Sequence, residues 1–552
     1  MKAYRQMADL LFPDVHAQVQ EIIARYPQRN LPDGAMVTRL APSPTGEMHI
    51  GTMYAAFLSY RLAKQTGGAF YVRLDDTDQK REVPGAKDRI PQELRRFGIA
   101  YEEGYFPDGI EIGGYAPYVQ SQRRDIYRAF AKDLVAQGRA YPCFCDEQAL
   151  EDMRTEQKRQ GVDIGYYGAW AVHREIALEQ VEREIEAGKQ FVIRLRSPGE
   201  AGRKISFHDL FKGEVIMPEN VQDIVLLKSD GLPTYHFAHA VDDSLMYTTH
   251  VVRGDEWLSS YPIHRQLFEV LGQKPPVYGH LAPIMKKEGA SKRKFSKRRD
   301  ADGHAAYYRA QGISPLALRE YYMRLINSAY EDWRRAHPEL PLEAYAIDLT
   351  NLGVSGPVFD VEKLRDIAKD VIAVMDAGEV LSELVPWAQE FDPVLYDTLM
   401  KDQTYALGVL GIGRGIAKPR KDIGKWADVR DAFGYFWEEF FSVDPEVLPG
   451  GVQQVAFLRM YAQEYDPVRT KEAWYEHLKA VAGKFGYALD KKAYAANPSA
   501  YLGTLADAAA VIRYALTGRE NSPDLYEVMQ VMGEERVKGR IAQAAGTAPG
   551  EV

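Results

Sequence analysis

Residues 37–51, VTRLAPSPTGEMHIG, constrain the fold of this 552-residue chain more than any other stretch. Their apolar-leaning opening predicts a strand. Pro42 and Pro44 then stiffen the chain, because each fixes its own φ and keeps the preceding residue out of the α conformation. Gly46 permits a sharp turn, and Gly51 leaves room for a ligand at the start of the next helix. A strand, a turn and a helix N-terminus form an anion site, because free backbone N–H groups and the helix dipole face the ligand. The alternative is an ordinary βα turn of an α/β domain.

The composition is that of a soluble globular protein, with 46% hydrophobic and 27% charged residues. At roughly 150 residues a domain, the length predicts three or four domains. A net charge of −9 argues against indiscriminate binding to nucleic acid and leaves room for a local basic face. No apolar run reaches the roughly 18 residues that a membrane span needs. The two cysteines are too few for a disulfide framework, so we expect a cytoplasmic protein.

A run of carboxylates follows the second predicted strand, residues 69–74. Ligands of open α/β sheets bind beyond the carboxyl ends of the strands, so residues 75–78 (DDTD) could hold a substrate ammonium. The alternative is capping of the next helix, which Asp and Thr do well. We expect both roles: one Asp at the ligand, and the others capping the helix and pairing with Arg81 or Lys80.

Residues 146–220 carry charged helices and strand-like pieces, which indicate a domain inserted into the first one. Cys143 and Cys145 could supply half of a zinc site, which needs four ligands. His173 is a candidate third ligand, and the spacing indicates no fourth. We therefore expect a turn with buried thiols here rather than a zinc site.

The parallel-sheet pattern is predicted to resume with the apolar run 223–228. A further predicted strand, residues 250–253, ends in Arg253. At a strand's carboxyl end the planar guanidinium of Arg253 could bind a carboxylate in bidentate fashion. The alternative is a structural ion pair with Asp242 or Asp243.

Residues 285–299 form the most basic segment of the chain. Such a run is usually a solvated loop. Because it follows a strand and contains small residues, we expect a mobile loop whose lysines close over polyphosphate and stabilise the leaving pyrophosphate. From about residue 320 the chain is predicted to be helical, as a dimerisation module or an RNA-binding module.

Seven segments carry motifs that occur together in one protein family: 41–46 (APSPTG), 49–52 (HIGT), 73–78 (RLDDTD), 233–237 (PTYHF), 294–298 (KFSKR), 356–364 (GPVFDVEKL) and 515–525 (ALTGRENSPDL). The first two together and the fifth resemble the two signature motifs of class I aminoacyl-tRNA synthetases. The third and fourth are similar to motifs of the glutamyl branch. The last two resemble the helical anticodon-binding half of bacterial-type glutamyl-tRNA synthetases.

This resemblance implies an α/β fold: a class I Rossmann-like parallel-sheet catalytic domain with an inserted α/β acceptor-binding domain, followed by an all-α anticodon-binding region. The expected divisions are an N-terminal helical extension (1–35), the two catalytic halves (36–125 and 223–285), the inserted acceptor-stem-binding domain (126–222), the lysine loop with a connecting helical domain (286–350) and the anticodon-binding region (351–552).

The resemblance also implies a two-step reaction. Glutamate and ATP, with Mg²⁺ sharing the phosphate charge, give glutamyl-adenylate and pyrophosphate. The glutamyl group then passes to the 3′ end of tRNA-Glu. Whether tRNA-Gln is also charged stays open at this point. We expect a monomer that needs no membrane.

Site residues are carried over from the family motifs. The expected catalytic residues are His49, Lys294 and Lys297. The expected ATP-binding residues are Ser43, His49, Gly51, Thr52, Lys294, Ser296 and Lys297. The expected glutamate-binding residues are Arg39, Asp75, Tyr235 and Arg253, with Asp75 at the α-ammonium and the others at the side-chain carboxylate.

The chain departs from the family pattern at a few positions. The fourth residue of the first motif is Thr52 rather than histidine. Phe295 replaces a commoner leucine or methionine, and Asp75 stands where glutamate is commoner. The cysteine pair resembles half of the zinc site of some members, with His173 in place of a further cysteine. The alternatives are a glutaminyl-tRNA synthetase, which usually carries β-barrels in its C-terminal part, a tRNA-modifying paralogue and a catalytically silent RNA-binding protein.

Overall fold

The structure is a computed structural model that describes residues 2–289, 291–295, 299–352, 356–443 and 452–546. It divides into two compact units. The first comprises residues 1–307 and 319–360, and the second comprises residues 308–318 and 361–552. Each unit is described by itself below.

Strands occur mainly in the first unit. In chain order they are β1 (Val37–Leu40), β2 (Ala69–Val72), β3 (Glu103–Tyr105), β4 (Glu111–Ile112), β5 (Ala140–Cys143), β6 (Val192–Leu195), β7 (Lys204–Asp209), β8 (Gly213–Pro218), β9 (Val225–Leu227), β10 (His250–Gly254), β11 (Val277–Leu281), β12 (Met285–Glu288), β13 (Ser291–Lys294), β14 (Val358–Phe359), β15 (Tyr487–Ala488) and β16 (Gly503–Thr504).

Helices occur throughout the chain. They are α1 (Lys2–Leu11), α2 (Val19–Ala24), α3 (Ile50–Gln65), α4 (Ala86–Arg96), α5 (Arg124–Ala136), α6 (Glu147–Gln160), α7 (Leu178–Glu186), α8 (Tyr235–Leu245), α9 (Tyr261–Val270), α10 (Ala305–Gln311), α11 (Pro315–Ile326), α12 (Tyr330–Ala336), α13 (Val361–Val374), α14 (Ala377–Phe391), α15 (Pro393–Lys401), α16 (Gln403–Gly411), α17 (Val429–Phe433), α18 (Val452–Gln463), α19 (Lys471–Lys484), α20 (Lys491–Ala496), α21 (Leu505–Thr517), α22 (Leu525–Met532) and α23 (Glu534–Ala544).

Parallel strand pairs dominate the first sheet of the first unit, which β4 extends by an antiparallel pair with β3. Strand β1 pairs in parallel with β2, and β2 pairs in parallel with β3. Strand β10 pairs in parallel with β11. The backbone N–H of Thr249 donates to the carbonyl of Val37 at 3.0 Å, which places the starts of β10 and β1 side by side. Residues at the carboxyl ends of β1 and β10 therefore lie at the same edge.

The inserted segment contains an antiparallel sheet in which β6 lies between β5 and β9. The prediction that residues 223–228 resume the parallel sheet is therefore wrong, because β9 pairs antiparallel with β6. A short buried apolar run fits a strand of either kind, so periodicity could not choose its partner. Strands β7 and β8 form a separate hairpin.

The basic segment is more regular than a loop. Strands β12 and β13 form an antiparallel hairpin, and β12 also pairs with β14. Gly289 turns the hairpin with a φ of +61°, a conformation that favours glycine. The Lys286 ammonium lies 2.7 Å from a carboxylate oxygen of Asp302 and 3.1 Å from one of Asp300. These pairings supply the order that a charge run alone did not predict.

The second unit is helical around an apolar core. Buried side chains of its helices form one cluster that includes Leu384, Leu399, Phe457, Ile512 and Val528. The only strands among its described residues are the two-residue pair β15 and β16. Within the described parts of both units, no helix has the length and apolar character needed to cross a membrane.

Candidate active site

The turn between β1 and α3 presents a helix N-terminus. His49 is the N-cap of α3, and its Nδ1 accepts a hydrogen bond from the backbone N–H of Gly51 at 3.1 Å. Gly46 bends the chain with a φ of +143°. A Cβ added at Gly51 would lie 3.3 Å from the His49 Nδ1, so glycine gives the imidazole its room. Ser43 is exposed and Thr52 is half-buried on the same turn.

The basic hairpin reaches this turn through an aromatic contact. The rings of Phe295 and His49 meet edge to face with centroids 6.2 Å apart. Lys294 is exposed, with its ammonium 3.9 Å from a carboxylate oxygen of Asp255. The predicted ATP-binding residues Ser296 and Lys297 lie outside the described residues.

Arg39 lies in a buried cluster of alternating charge. Its Nε is 3.1 Å from the Asp243 Oδ2. Arg73 donates to the other oxygen of Asp243 at 2.7 Å and to Asp75 at 2.8 Å. Burial opposes ionisation of Asp243, but Arg39, His239 and Arg73 outweigh it and hold the pKa of that carboxyl well below its usual range. Asp243 is therefore a fixed anion between two guanidinium groups.

The acidic run after β2 divides its roles differently from the prediction. Burial raises the pKa of Asp75 to about 6, in spite of its contact with Arg73. The carboxylate of Asp76 accepts from the backbone N–H and the hydroxyl of Ser121, at 2.8 and 2.7 Å. Asp78 pairs with Arg81 at 2.6 Å, but its side chain makes no helix-capping hydrogen bond. The expected pairing with Arg81 is confirmed. The expected capping is wrong, because the Asp78 carboxylate is engaged by Arg81 and that of Asp76 by Ser121.

Arg253 does not form the structural ion pair with Asp242 or Asp243 that was the alternative to binding a ligand. Its Nε donates to the His280 Nε2 at 3.0 Å, and its Nη1 lies 3.0 Å from the His264 Nδ1. Its Nη2 donates to the carbonyl of Trp257 at 3.2 Å. Its Cζ lies 4.6 Å from the centroid of the Tyr278 ring. Every described partner of this guanidinium is uncharged, so its charge is available to a ligand.

The predicted tyrosine, Tyr235, lies close to Arg253 and Trp257, and these three residues are called the Arg253 wall. The ring of Tyr235 lies 4.6 Å from that of Trp257, centroid to centroid. Burial raises the pKa of Tyr235, although Arg253 and Arg39 act in the opposite direction. The hydroxyl therefore stays protonated at neutral pH and can donate to a carboxylate.

Four histidines that the sequence did not single out surround the Arg253 wall: His236, His239, His264 and His280. Burial lowers the pKa of both His236 and His239 to about 4, so both rings are neutral at physiological pH. They come from α8, α9 and β11. Only His236 falls within one of the seven motif segments, 233–237, and the sequence predicted no role for it. A usable signal was the closeness of His236, His239 and His280 to predicted strand ends and to Tyr235.

A second cluster lies in the inserted segment. One potential ligand atom from each of Cys143, Cys145 and His173 lies within 4.8 Å of the others. The Tyr166 hydroxyl lies 3.4 Å from the Cys143 Sγ, 3.7 Å from the Cys145 Sγ and 3.5 Å from the His173 Nδ1. Tetrahedral zinc with sulfur and nitrogen ligands implies separations of about 3.3–3.8 Å. The structure thus brings together the three predicted ligands and a fourth donor that the spacing did not indicate.

The comparisons with known proteins decide the family. Residues 35–363 match the catalytic domain of tRNA synthetases class I (E and Q), and residues 504–545 match an anticodon binding domain. The chain belongs to this class I family. It is 45% identical to a glutamate–tRNA ligase of Clostridium perfringens (strain 13), over 98% of this chain and 100% of the relative. It is 43% identical to one of Acetivibrio thermocellus, over 98% and 99%.

A solved structure shows the same architecture. The glutamate tRNA ligase of Elizabethkingia meningosepticum, in complex with its amino acid, matches with a TM-score of 0.73 and 26% identity, over 93% of this chain and 99% of that one. The predicted class I fold and the predicted relationship to bacterial-type glutamate–tRNA ligases are therefore confirmed. The chain is an aminoacyl-tRNA ligase of class I.

Proposed function

We propose that this enzyme activates L-glutamate with ATP and transfers the glutamyl group to the 3′ end of tRNA-Glu, as a cytoplasmic monomer. The observation that carries the amino-acid assignment is a pair of buried arginines at one sheet edge, Arg39 on β1 and Arg253 on β10. Both guanidinium groups lie close enough to Tyr235 to act on the pKa of its hydroxyl. Two cations and a neutral phenol suit a side-chain carboxylate and disfavour an amide.

Activation requires positioning and charge stabilisation rather than acid–base chemistry. One oxygen of the glutamate α-carboxylate attacks the α-phosphorus of ATP, and the bond to the bridging oxygen of pyrophosphate breaks. In this proposal His49 and the positive end of the α3 dipole, near Gly51 and Thr52, hold the phosphates together with Ser43. Mg²⁺ arrives with ATP, bound mainly by phosphate oxygens, and shares their charge.

The basic hairpin supplies the cations on the leaving-group side of the proposal. Lys294 is exposed at the end of β13, and among the described residues its ammonium makes one long contact, to Asp255 at 3.9 Å. It is free to turn toward a polyphosphate. Ser296 and Lys297 follow directly in the chain and keep the roles that their motif implies. Negative charge that develops on pyrophosphate is then met by two ammonium groups.

Asp75 is the proposed partner of the substrate α-ammonium. Both of its oxygens lie near Arg73, at 2.8 and 3.4 Å, so it would share its charge between a guanidinium and the ligand. A bound ammonium favours the ionised form of Asp75. It therefore counteracts the effect of burial, which raises the pKa of this carboxyl.

The two RNA-contacting regions follow from the domain proposal. Residues 126–222 would hold the acceptor stem, and residues 351–552 would read the anticodon, with residues 286–350 joining the catalytic part to them. The anticodon binding domain matched at residues 504–545 supports the second assignment.

The cluster around Tyr166 fits a structural zinc ion, although the sequence indicated too few ligands. The Tyr166 oxygen lies 3.4–3.7 Å from both sulfurs and from the His173 nitrogen, and the Cys145 sulfur lies 3.4 Å from that nitrogen. These four separations suit a tetrahedral site, and the two sulfurs and the nitrogen all lie within 4.8 Å of one another. We expect metal analysis of the purified protein to find stoichiometric zinc, and H173A to lose it while H337A keeps it. Zinc at background level in the unmodified enzyme would overturn this assignment.

The function is tested by charging two purified tRNAs, tRNA-Glu and tRNA-Gln, with each amino acid. The proposal expects glutamate on tRNA-Glu and negligible glutamine on either tRNA. Glutamate on tRNA-Gln as well would extend the substrate range to a second tRNA. Robust attachment of glutamine without glutamate would replace the proposal with the glutaminyl alternative.

A further inference from the structure

The two arginines of the proposed pocket differ in what holds them. Arg39 contacts the carboxylate of Asp243, whereas Arg253 is held by two imidazoles, a carbonyl and the face of Tyr278. A guanidinium has five N–H donors. The described residues engage three of those of Arg253, which leaves one N–H on each terminal nitrogen. Two such groups form a fork that matches a carboxylate.

We propose that His264 and His280 are positioning residues, which orient Arg253 through neutral acceptors and leave its charge for the substrate carboxylate, so that they set selectivity for glutamate over glutamine. This inference rests on the proposed function, because it takes the substrate side chain to be the ligand of Arg253. No other described group in contact with Arg253 could neutralise it.

The orientation of His280 is fixed by Asp209. The His280 Nδ1 lies 2.5 Å from the Asp209 Oδ2, and the backbone N–H of His280 donates to the Asp209 Oδ1 at 3.2 Å. That second oxygen also accepts from the backbone N–H groups of Phe211 and Lys212, at 3.0 and 3.1 Å. Asp209 can therefore only accept, so the ring proton sits on Nδ1 and the Nε2 lone pair faces Arg253.

The β7–β8 hairpin delivers Asp209 to this place. The backbone N–H of Leu210 donates to the carbonyl of Tyr278 at 2.8 Å, beside β11. A Cβ added at Gly279 would lie 2.5 Å from the ring of Phe211, so only glycine allows the hairpin to approach so closely. Asp209 is fully buried, as is His280, which makes the contact rigid.

His264 is fixed by a second relay. Its Nδ1 faces an N–H of Arg253, which can only donate, so Nδ1 accepts and the ring proton sits on Nε2. That Nε2 lies 2.9 Å from the His236 Nδ1, which accepts in turn. Burial and the neighbouring cations hold the pKa of His264 well below its usual value, so the ring remains a neutral acceptor.

The neutral partners have a consequence for selectivity. A carboxylate partner would balance Arg253 and let an uncharged amide bind at small cost. With neutral partners, glutamine would leave a buried guanidinium unpaired, because the side chain is only 7% exposed. Loss of either imidazole acceptor lets the guanidinium of Arg253 rotate. This rotation weakens the binding of glutamate more than it weakens the binding of ATP.

The test uses a crossed pair of substitutions in the full-length enzyme. A side-chain amide atom of asparagine can occupy the position of the histidine Nδ1. A side-chain amide atom of glutamine, which is one methylene longer, can occupy the position of Nε2. At His280 the contact to Arg253 is Nε2, so H280Q should keep the glutamate KM within about threefold and H280N should raise it about tenfold or more. At His264 the contact is Nδ1, so H264N should be the mild variant and H264Q the severe one.

Controls separate positioning from folding and from the proposed function. H208N changes an exposed histidine of the same hairpin and should leave the kinetic constants for glutamate unchanged. The ATP KM should stay constant in both mild variants, and glutamine use relative to glutamate should rise in both severe ones. The thermal midpoint should fall in H280Q, because that variant removes the imidazole partner of the buried Asp209. A nearly unchanged glutamate KM beside a lowered midpoint therefore separates positioning from folding. Equal effects of asparagine and glutamine at both positions would overturn the inference. An unmodified enzyme that does not charge glutamate would overturn the proposed function instead.

Discussion

The two sides of the proposed amino-acid pocket hold the same residue type in opposite ways. On the β1 side, Arg39 and Arg73 share the carboxylate of Asp243, and Arg73 also pairs with Asp75, so each guanidinium has an anionic partner. On the β10 side, Arg253 has no anionic partner among its described contacts. The difference teaches that buried carboxylates build the scaffold, whereas buried imidazoles can fix a cation without consuming its charge.

The largest expected effect breaks the scaffold side. D243N removes the anion between Arg39 and Arg73 and leaves buried positive charge uncompensated. We expect the stability of the first unit to fall by about 3–5 kcal/mol, measured by urea unfolding. D78N removes an exposed partner of Arg81 and should leave the unfolding midpoint unchanged. Equal stability of D243N and the unmodified protein would show that the charges on this side do not depend on each other.

The next effect removes the ligand side. R253Q keeps the length and several donors of the side chain but loses its charge. Only a cation offsets the desolvation penalty of burying the substrate carboxylate. We therefore expect kcat/KM for glutamate to fall by at least about a hundredfold, with the ATP KM unchanged. The change should cost little stability, in contrast to D243N. R96Q, on the exposed face of α4, is the matched control. A loss below about fivefold would remove Arg253 from glutamate recognition.

A smaller effect, the pH dependence of the glutamate KM, tests the role of Asp75 on the β1 side. The pKa of Asp75 is raised from 3.8 to about 6 by burial, so the carboxylate is lost as pH falls through 6. If it binds the α-ammonium, the glutamate KM should rise several-fold between pH 7.5 and 5.5, and D75N should abolish that dependence.

Stability should respond to the same group in the opposite direction. A raised folded pKa means that Asp75 stabilises the fold fully below pH 3.8, and that this contribution is lost as pH rises through about 6. Between those values, D75N should remove a decrease in stability with rising pH. A glutamate KM that does not change with pH in the unmodified enzyme would separate Asp75 from the ligand.

Local rules predicted the turn that presents His49 well. Prolines, glycines and an apolar stripe act within a few residues, and α3 indeed buries Met53, Ala56 and Phe57. The same holds for α13, which lies in the region predicted to be helical and buries Leu364 and Ile367 on one face. The placements of Ser296 and Lys297 stay predictions, because they lie outside the described residues.

Contacts between distant residues were beyond such rules. The pairing of Asp209 with His280 joins residues 71 positions apart, and that of Arg253 with His280 joins residues 27 apart. Strand β9 was assigned to the wrong sheet for the same reason, since its partner β6 is chosen by tertiary packing. The family resemblance and its position at a strand end pointed to Arg253, but nothing in the sequence pointed to His264 or His280, the imidazoles proposed to orient it.

The most direct test of the account is the ratio of kcat/KM for L-glutamate over L-glutamine in charging tRNA-Glu by the unmodified enzyme. A site that leaves a buried guanidinium for the substrate carboxylate should give a ratio of about 10⁴ or more. A ratio near one would contradict the account, because the charge of Arg253 would then play no part in choosing the substrate.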